Sequence, residues 1–190
     1  LEVLAFGAGH MGISHARAYS ALSNVEICGV VTRTLGSAQN LLNELGPFPH
    51  FTNLSRALSE ARPDAVSICS YTETHHPFAI EALEAGCHVF VEKPLSENVQ
   101  NARHIVETAQ KFNLKVVVGY ILRHHPSWIK FIEITRSMGS PLVMRMNLNQ
   151  QSKGANWETH KNLLKSTSPI VDCGVHYVDV MCQMTRCKPV

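Results

Sequence analysis

The feature that most constrains the fold is a regular alternation between short apolar runs and segments with helical periodicity. The apolar runs are rich in β-branched residues and lie at Glu2–Phe6, Glu26–Val31, Ala65–Cys69, His88–Val91 and Lys115–Val118. The helical patterns between them lie at Ile13–Leu22, Gly36–Leu45, Leu54–Ala61, His75–Ala85 and Asn98–Phe112. Strands that are apolar along their whole length are buried on both faces, so the pattern predicts an α/β fold with a doubly wound parallel sheet.

From about Arg123 the alternation stops and a different pattern follows. A helix is predicted over Pro126–Met138, an alternating strand over Leu142–Gln150, and, after a polar loop, another helix from about Val171. We therefore predict one complete domain over 1–122 and the first part of a second domain over 123–190. Because the chain begins inside one strand pattern and ends where another begins, we expect it to be a piece of a longer protein.

Composition excludes several classes of protein. The chain has 190 residues, of which 45% are hydrophobic and 17% are charged, and its formal net charge is +2. This charge is too small to indicate binding to nucleic acid or to an anionic membrane. No apolar run is long enough to span a bilayer, and no signal-peptide pattern opens the chain. The six cysteines form no CxxC pair, so we expect reduced thiols in a cytoplasmic protein.

The first motif is a glycine-rich turn, FGAGHMG, between the first predicted strand and the first predicted helix. Gly7, Gly9 and Gly12 fit the pattern GxGxxG, in which the glycines permit a tight turn, close approach of a pyrophosphate and close helix–strand packing. The helix N-terminus then offers free N–H groups to the phosphates. We predict dinucleotide binding here and include His10 and Met11 among the cofactor-binding positions, although His10 could equally be a solvent-facing spacer.

The second cofactor signal is a missing acid at the end of the second predicted strand. The acid that binds the adenosine ribose is expected there, but the chain has Thr32 followed by Arg33. Without a carboxylate nothing repels a 2′-phosphate, and a guanidinium can bind one through paired hydrogen bonds. This favours NADP(H) over NAD(H). In the alternative, Arg33 is a solvated loop residue and Thr32 hydrogen-bonds a ribose hydroxyl.

Four segments together resemble the glucose–fructose oxidoreductase / inositol dehydrogenase family, called Gfo/Idh/MocA. They are GAGHMG, CSYTETHHPFAIEALEAGCHVFVEKPLSENVQNA, GYILRHHP and DCGVHYVD, and they occur in the family's order over the whole chain. The resemblance implies a Rossmann domain followed by an α/β domain with a large open sheet. It also implies oxidation or reduction of sugars, inositols and related polyols, and a longer protein. We expect a homo-oligomer formed through the open sheet of the second domain.

The resemblance gives Glu92-Lys93-Pro94 the place of the family's EKP motif, after a predicted parallel strand. It implies that Lys93 hydrogen-bonds the reacting oxygen and favours its developing negative charge. Pro94 restricts Lys93 to an extended backbone and so directs its side chain. Glu92 could hold the loop or contact the cofactor; it is counted among the cofactor-binding positions without a chemical role. By itself, Lys93 could be a lysine in a surface salt bridge.

A third set, in the stretch VDCGVHYVDVM, contains an acid, a histidine and a second acid at i, i+4 and i+7. On an α-helix Asp172, His176 and Asp179 would share one face. Asp172 could orient the imidazole of His176, which suits proton exchange with a hydroxyl near neutral pH. Asp179 could equally be structural. Zinc is the rival interpretation of such a set, but we expect no metal site, because the set lacks a convincing third zinc ligand and hydride transfer to nicotinamide needs no metal.

The remaining candidate positions follow from the resemblance. Ser70 and His75 are expected near the cofactor, with His75 close to the nicotinamide ribose. Arg123 is also placed among the cofactor-binding residues, although it could instead contact substrate or close the domain interface. Trp157 could form a wall of the sugar pocket or be an exposed tryptophan.

The predicted function is an NAD(P)-dependent oxidoreductase that transfers a hydride between nicotinamide and a hydroxyl-bearing carbon of a sugar, sugar derivative or cyclitol. One alternative is a glycosidase-like relative that uses a tightly held NAD for transient oxidation. Another is a non-catalytic dinucleotide-binding regulator. The regulator would need only the Rossmann domain, so the presence of Lys93, Asp172 and His176 argues against it.

Overall fold

The computed structural model describes residues 1–147, 153–154, 157, 161, 168 and 170–188. The chain divides into two compact units, Leu1–Gly119 and Tyr120–Val190. No helix among these described residues is long and apolar enough to cross a membrane.

The first unit contains a six-stranded, wholly parallel sheet with the strand order β3-β2-β1-β4-β5-β6. Its strands are β1 Glu2–Phe6, β2 Glu26–Val31, β3 His50–Phe51, β4 Ala65–Ile68, β5 His88–Val91 and β6 Val116–Val118. Its helices are α1 His10–Ser20, α2 Leu35–Leu45, α3 Leu54–Ala61, α4 Thr72–Glu84 and α5 Val99–Lys111. The predicted doubly wound α/β fold is confirmed.

Neighbouring residues of β1 belong to different hydrophobic clusters, as expected for a strand buried on both faces. Leu4 packs in a cluster that includes residues of α3, α4 and α5, whereas Ala5 packs in a cluster with residues of α1 and α2. Three helices begin at residues whose side chains accept a hydrogen bond from the backbone N–H three positions on: Thr34, Asn53 and Asn98. These caps satisfy N–H groups that have no partner within the helix.

The structure differs from the sequence prediction in a few elements of this unit. Strand β3 was not predicted, because two residues are too few to show a period; it is defined by its pairing with Val30 and Val31 of β2. Helix α1 begins at His10, three residues before the predicted start. The apolar pattern begins later because the first turn of α1 is largely exposed.

The second unit contains a 3₁₀ turn at Ile121–Arg123, helix α6 at Pro126–Ser137, a π-helical turn at Ile170–Gly174 and helix α7 at Val175–Thr185. Ile132, Val180 and Met184 form its small buried core. Residues 142–147 of the predicted strand Leu142–Gln150 are not in a strand, and residues 148–150 lie outside the described residues. A strand needs a hydrogen-bonding neighbour, and the described part of this unit contains no strand that could pair with it.

Candidate functional site

The glycine turn joins β1 to α1, and its three glycines have different surroundings. Gly7 has φ +96°, and a Cβ there would lie 2.4 Å from the carbonyl oxygen of Cys69. A Cβ on Gly12 would lie 2.1 Å from the carbonyl oxygen of Gly7. A Cβ on Gly9 would meet nothing within 4 Å. Gly7 and Gly12 are therefore required by packing, whereas the backbone at Gly9 is open to close approach by a ligand.

The first turn of α1 suits an anion. No side chain caps the helix at Gly9, and the first turn contains no acidic residue. His10 and Met11 are exposed. Because the first N–H groups of a helix have no partner within it and carry partial positive charge, this turn fits the pyrophosphate of a dinucleotide.

The turn after β2 contains the two residues that bear on cofactor choice. The hydroxyl of Thr32 donates to the carbonyl oxygen of Thr34 at 2.8 Å and lies 2.9 Å from His50 Nε2. A hydroxyl has a single hydrogen, so the Nε2–H of His50 donates to Thr32. Arg33 is exposed. Sequence reasoning missed His50, because it lies on the unpredicted strand β3.

Lys93 follows β5 and lies between two buried residues, Glu92 and Pro94. The lysine itself is half-buried. Its backbone N–H donates to Glu92 Oε2 at 3.1 Å. β5 is separated from β1 in the sheet by β4 alone. Lys93 and the glycine turn therefore lie at the carboxyl edge of one parallel sheet, which is where α/β folds bind ligands.

Both carboxylate oxygens of Glu92 are bonded within the protein. Oε1 accepts from His15 Nε2 at 2.7 Å, and Oε2 accepts from the Lys93 N–H. Burial is the largest single influence and acts to raise the pKa of Glu92, but the hydrogen bonds from His15 and Lys93 and the charge interactions with both residues together leave the pKa below its usual value. A Cβ on Gly119 would lie 3.0 Å from both oxygens. Glu92, proposed from sequence as a cofactor contact, thus has its oxygens directed to His15 and to its own turn.

His75 has similar surroundings. Its side chain is fully buried, with Nδ1 2.7 Å from the carbonyl oxygen of Pro94 and Nε2 3.2 Å from that of Ser70. The Ser70 hydroxyl lies 2.7 Å from that of Thr74. Both ring nitrogens of His75 are thus directed at backbone carbonyl oxygens of two turns, and its expected place beside the nicotinamide ribose stays a prediction.

In the second unit, the π-helical turn contains Asp172, and α7 contains His176. The π turn ends at Gly174 and α7 begins at Val175, so the two residues lie on consecutive turns of different type; their predicted pairing stays a prediction. Cys173 Sγ donates to Asp172 Oδ2 at 3.4 Å. The ring of Tyr120 lies edge-on to that of His176, with centroids 6.2 Å apart.

Arg123 also lies in the second unit, where its guanidinium forms a two-pronged ion pair with Asp179. Arg123 Nε donates to Asp179 Oδ2 at 2.8 Å, and the other carboxylate oxygen accepts from Nη2. Asp179, for which the sequence allowed a structural role, thus forms an ion pair with Arg123.

Trp157, the candidate wall of a sugar pocket, is 45% exposed. Among the described residues, no three His, Cys, Asp or Glu side chains are grouped so as to hold a metal ion.

The sequence matches known proteins over most of its length. A family profile, Gfo/Idh/MocA, described as an oxidoreductase family with an NAD-binding Rossmann fold, matches residues 1–120. The D-glucoside 3-dehydrogenase of Escherichia coli K12 is 29% identical over 185 residues, which cover 94% of this chain and 52% of that protein. The UDP-N-acetylglucosamine 3-dehydrogenase of Acidithiobacillus ferrooxidans is 29% identical over 97% of this chain and 54% of that protein.

Solved structures show the same fold. A structure of that Acidithiobacillus ferrooxidans enzyme has a TM-score of 0.75 and 26% identity, covering all of this chain and 58% of the solved one. A myo-inositol 2-dehydrogenase of Lactobacillus plantarum has a TM-score of 0.83 at 21% identity, covering 57% of the solved chain, and this likeness concerns the fold alone.

The chain spans about half the length of the curated relatives it matches. The family match covers its Rossmann unit and includes the glycine turn and the Glu92-Lys93-Pro94 turn described above. The chain therefore belongs to the Gfo/Idh/MocA family of oxidoreductases with an NAD-binding Rossmann fold.

Proposed function

We propose that the protein containing this chain is an NAD(P)-dependent oxidoreductase that acts on a hydroxyl-bearing carbon of a sugar, sugar derivative or cyclitol. The observation that carries the proposal is that the glycine turn and Lys93 lie at the carboxyl edge of one sheet. They follow β1 and β5, which have only β4 between them. Membership of an oxidoreductase family supports the proposal, as do relatives named as dehydrogenases of glucosides, an amino-sugar nucleotide and inositol.

The residues that would hold the cofactor are Gly7, Gly9, Gly12 and the first turn of α1, with Thr32 and Arg33 at the adenosine end. When bound, nicotinamide supplies the chemistry of accepting or donating a hydride. We infer a preference for NADP(H), because the turn after β2 has an exposed guanidinium at Arg33 and, at Thr32, no carboxylate to repel a 2′-phosphate.

Lys93, Asp172 and His176 are proposed to work on the substrate hydroxyl. The Lys93 ammonium donates a hydrogen bond to the oxygen and favours negative charge on it. His176, oriented by Asp172, takes the hydroxyl proton in the oxidative direction. The assignment of these three residues rests on their match to the family motifs, and Lys93 has the additional support of its position at the end of β5.

The proposed partners are a small sugar or polyol and further copies of the same chain, which would associate through the open sheet of the second domain. A cytoplasmic location is proposed from the six cysteines without a CxxC pair.

The experiment that tests the proposal is a cofactor-reduction screen of the complete protein against a panel of sugars, sugar nucleotides and cyclitols, with NAD and NADP in parallel. Turnover with at least one of them, lost in Lys93→Ala, is the expected result. Cofactor that survives purification, with cleavage of a glycoside and no net turnover of free cofactor, would favour the glycosidase-like alternative. Binding of cofactor with no turnover of any kind would favour the regulator.

A further inference from the structure

We propose that His15 and His75 form a two-histidine clamp that positions Lys93. His15 lies on α1 and His75 on α4, and each holds one of the two residues that flank the lysine in the chain. The inference rests on the proposed role of Lys93 and names two positioning residues for it.

The first arm of the clamp runs from α1 through His15 and Glu92. His15 Nε2 donates to Glu92 Oε1 at 2.7 Å, and the side chains are 18% and 9% exposed. The imidazole of His15 packs on the ring of Phe90, with centroids 4.6 Å apart, and this limits its rotation. The other oxygen of Glu92 accepts from the backbone N–H of Lys93. A chain of hydrogen bonds thus joins the helix of the glycine turn to the backbone of the lysine.

The second arm runs from α4 through His75 to the residue after the lysine. His75 Nδ1 lies 2.7 Å from the carbonyl oxygen of Pro94, and the imidazole is fully buried. Both ring nitrogens face carbonyl oxygens, which only accept, and a neutral imidazole has one N–H; we assign it to Nδ1, which makes the shorter contact. Nε2 then lies 3.2 Å from the carbonyl oxygen of Ser70 without donating to it.

The two arms act on Lys93 from both sides, and neither uses its side chain. Glu92 restrains the backbone N–H of the lysine, and His75 restrains the carbonyl group of Pro94, the residue that follows the lysine. A lysine side chain has four rotatable bonds, so its ammonium can be aimed only if its backbone is held. A misplacement of about 1 Å in a catalytic group can lower a rate by about 10²-fold.

The test uses the fact that the two histidines hold the turn through opposite ring nitrogens. A glutamine amide can place its N–H near the position of Nε2, and an asparagine amide near that of Nδ1. His15→Gln should therefore keep the bond to Glu92, and His15→Asn should lose it. At the other position the order reverses: His75→Asn should keep the bond to Pro94, and His75→Gln should lose it. His76, a half-buried neighbour on α4 whose Nε2 lies 3.0 Å from His104 Nδ1, provides matched control variants.

Two properties of the complete protein would be measured. Amide hydrogen exchange at Lys93, followed by NMR, reports on the turn without any substrate or cofactor. We expect faster exchange in His15→Asn and His75→Gln than in their partner variants. With a substrate from the screen, kcat should fall about 10-fold to 100-fold in the same two variants, while the Kd for NAD(P)H changes little. His15→Gln and His75→Asn should retain most of kcat, and both His76 variants should behave as wild type.

Equal behaviour of Asn and Gln at both positions would overturn the clamp, since packing alone would not distinguish the ring nitrogens. Faster exchange with unchanged kcat would show that the histidines hold the turn without serving Lys93, and would also overturn it. If no sugar or polyol is turned over, the proposed function fails, but hydrogen exchange still decides whether the histidines hold the turn. If one variant does not fold, the pair at the other histidine gives the answer.

Discussion

The glycine turn and the lysine turn lie at the same edge of the sheet but are held in opposite ways. At Gly7 and Gly12 the backbone segments approach so closely that a single added carbon would lie 2.4 Å or 2.1 Å from a carbonyl oxygen. Around Lys93 the backbone is held by side chains from distant helices, through Glu92 and the carbonyl oxygen of Pro94. The first turn needs side chains to be absent, and the second needs particular side chains to be present.

This difference indicates how each turn should fail. Adding atoms should disrupt the glycine turn because its neighbours are backbone atoms that cannot rotate away. Removing hydrogen-bonding groups should disrupt the lysine turn because a buried donor or acceptor is then left without a partner. Comparison of the two kinds of variant separates cofactor binding from the chemical step.

The largest effect on stability is expected from Gly12→Ala. Its new methyl group would overlap the carbonyl of Gly7, so we expect the free energy of unfolding to fall by about 3 kcal/mol, at the top of the usual range for overpacking. Gly9→Ala is the matched control, because its methyl group has open space. It should cost less than about 1 kcal/mol, as at an N-cap position, yet weaken NAD(P)H binding. Urea unfolding and fluorescence titration measure both quantities; equal stability of the two variants would contradict the packing argument.

The largest effect on kcat is expected from Lys93→Ala. If the ammonium stabilises charge on the reacting oxygen, kcat should fall by about 10²- to 10³-fold, as for loss of one electrostatic donor. NAD(P)H affinity should change little, because the pyrophosphate is proposed to bind at the glycine turn. Lys93→Arg should not restore full activity, since a planar guanidinium cannot replace a compact ammonium. A near-normal kcat in Lys93→Ala would remove the lysine from the mechanism.

His176→Ala tests the proposal that His176 takes the proton of the substrate hydroxyl. Loss of the imidazole should lower kcat by about 10²-fold near neutral pH and flatten the pH–rate profile, as expected when a general base is removed. The measurement is kcat against pH for wild type and variant with the same substrate. Parallel profiles would show that His176 is not the titrating base.

A smaller effect, on stability, is expected from Glu92→Gln. An amide has one acceptor oxygen where the carboxylate has two, so the N–H of His15 or of Lys93 loses its partner, at a cost of about 1–3 kcal/mol at pH 7. Because the pKa of Glu92 is lowered in the folded protein, its stabilisation is present above the unfolded pKa of about 4.3 and is lost as pH falls through the folded pKa. Urea unfolding from pH 7 to pH 3 should therefore show a flatter profile for the variant.

Glu60→Gln is the control for that experiment, since Glu60 forms an exposed ion pair with Arg56 one helical turn away. It should leave the pH dependence of unfolding almost unchanged, because exposed pairs contribute little. Identical pH profiles for Glu92→Gln and wild type would show that the buried carboxylate does not stabilise the lysine turn.

The smallest effect is expected from Arg33→Ala, which tests the proposed preference for NADPH over NADH. Loss of an exposed guanidinium should weaken NADPH binding by about 3- to 10-fold, the range for one partly solvated charged hydrogen bond, and leave NADH binding unchanged. Arg103→Ala, on the exposed face of α5, removes the same charge elsewhere. Tighter binding of NADH than of NADPH, unaffected by Arg33→Ala, would contradict the proposed NADP(H) preference.

Much of the first unit could be predicted from local patterns. β1, β2, β5 and α3 have the predicted bounds, because buried strands and an amphipathic helix with an asparagine cap have clear periods and ends. The short strand β3 and the π turn at Ile170–Gly174 were missed, since neither has a period of its own. The strand Leu142–Gln150 was predicted from alternation, but alternation alone does not supply the neighbour that a strand needs.

The sequence alone determined the residues whose role is local: the glycines of the first turn, the missing acid at Thr32, and the proline that follows Lys93. The tertiary structure decided which distant side chains hold those residues. His15 and Glu92 are 77 residues apart, and His50 meets Thr32 through a strand that sequence reasoning missed. Such bonds depend on strand order and helix packing, and hydrophobic periodicity specifies which face of an element is buried but not which polar groups meet across it.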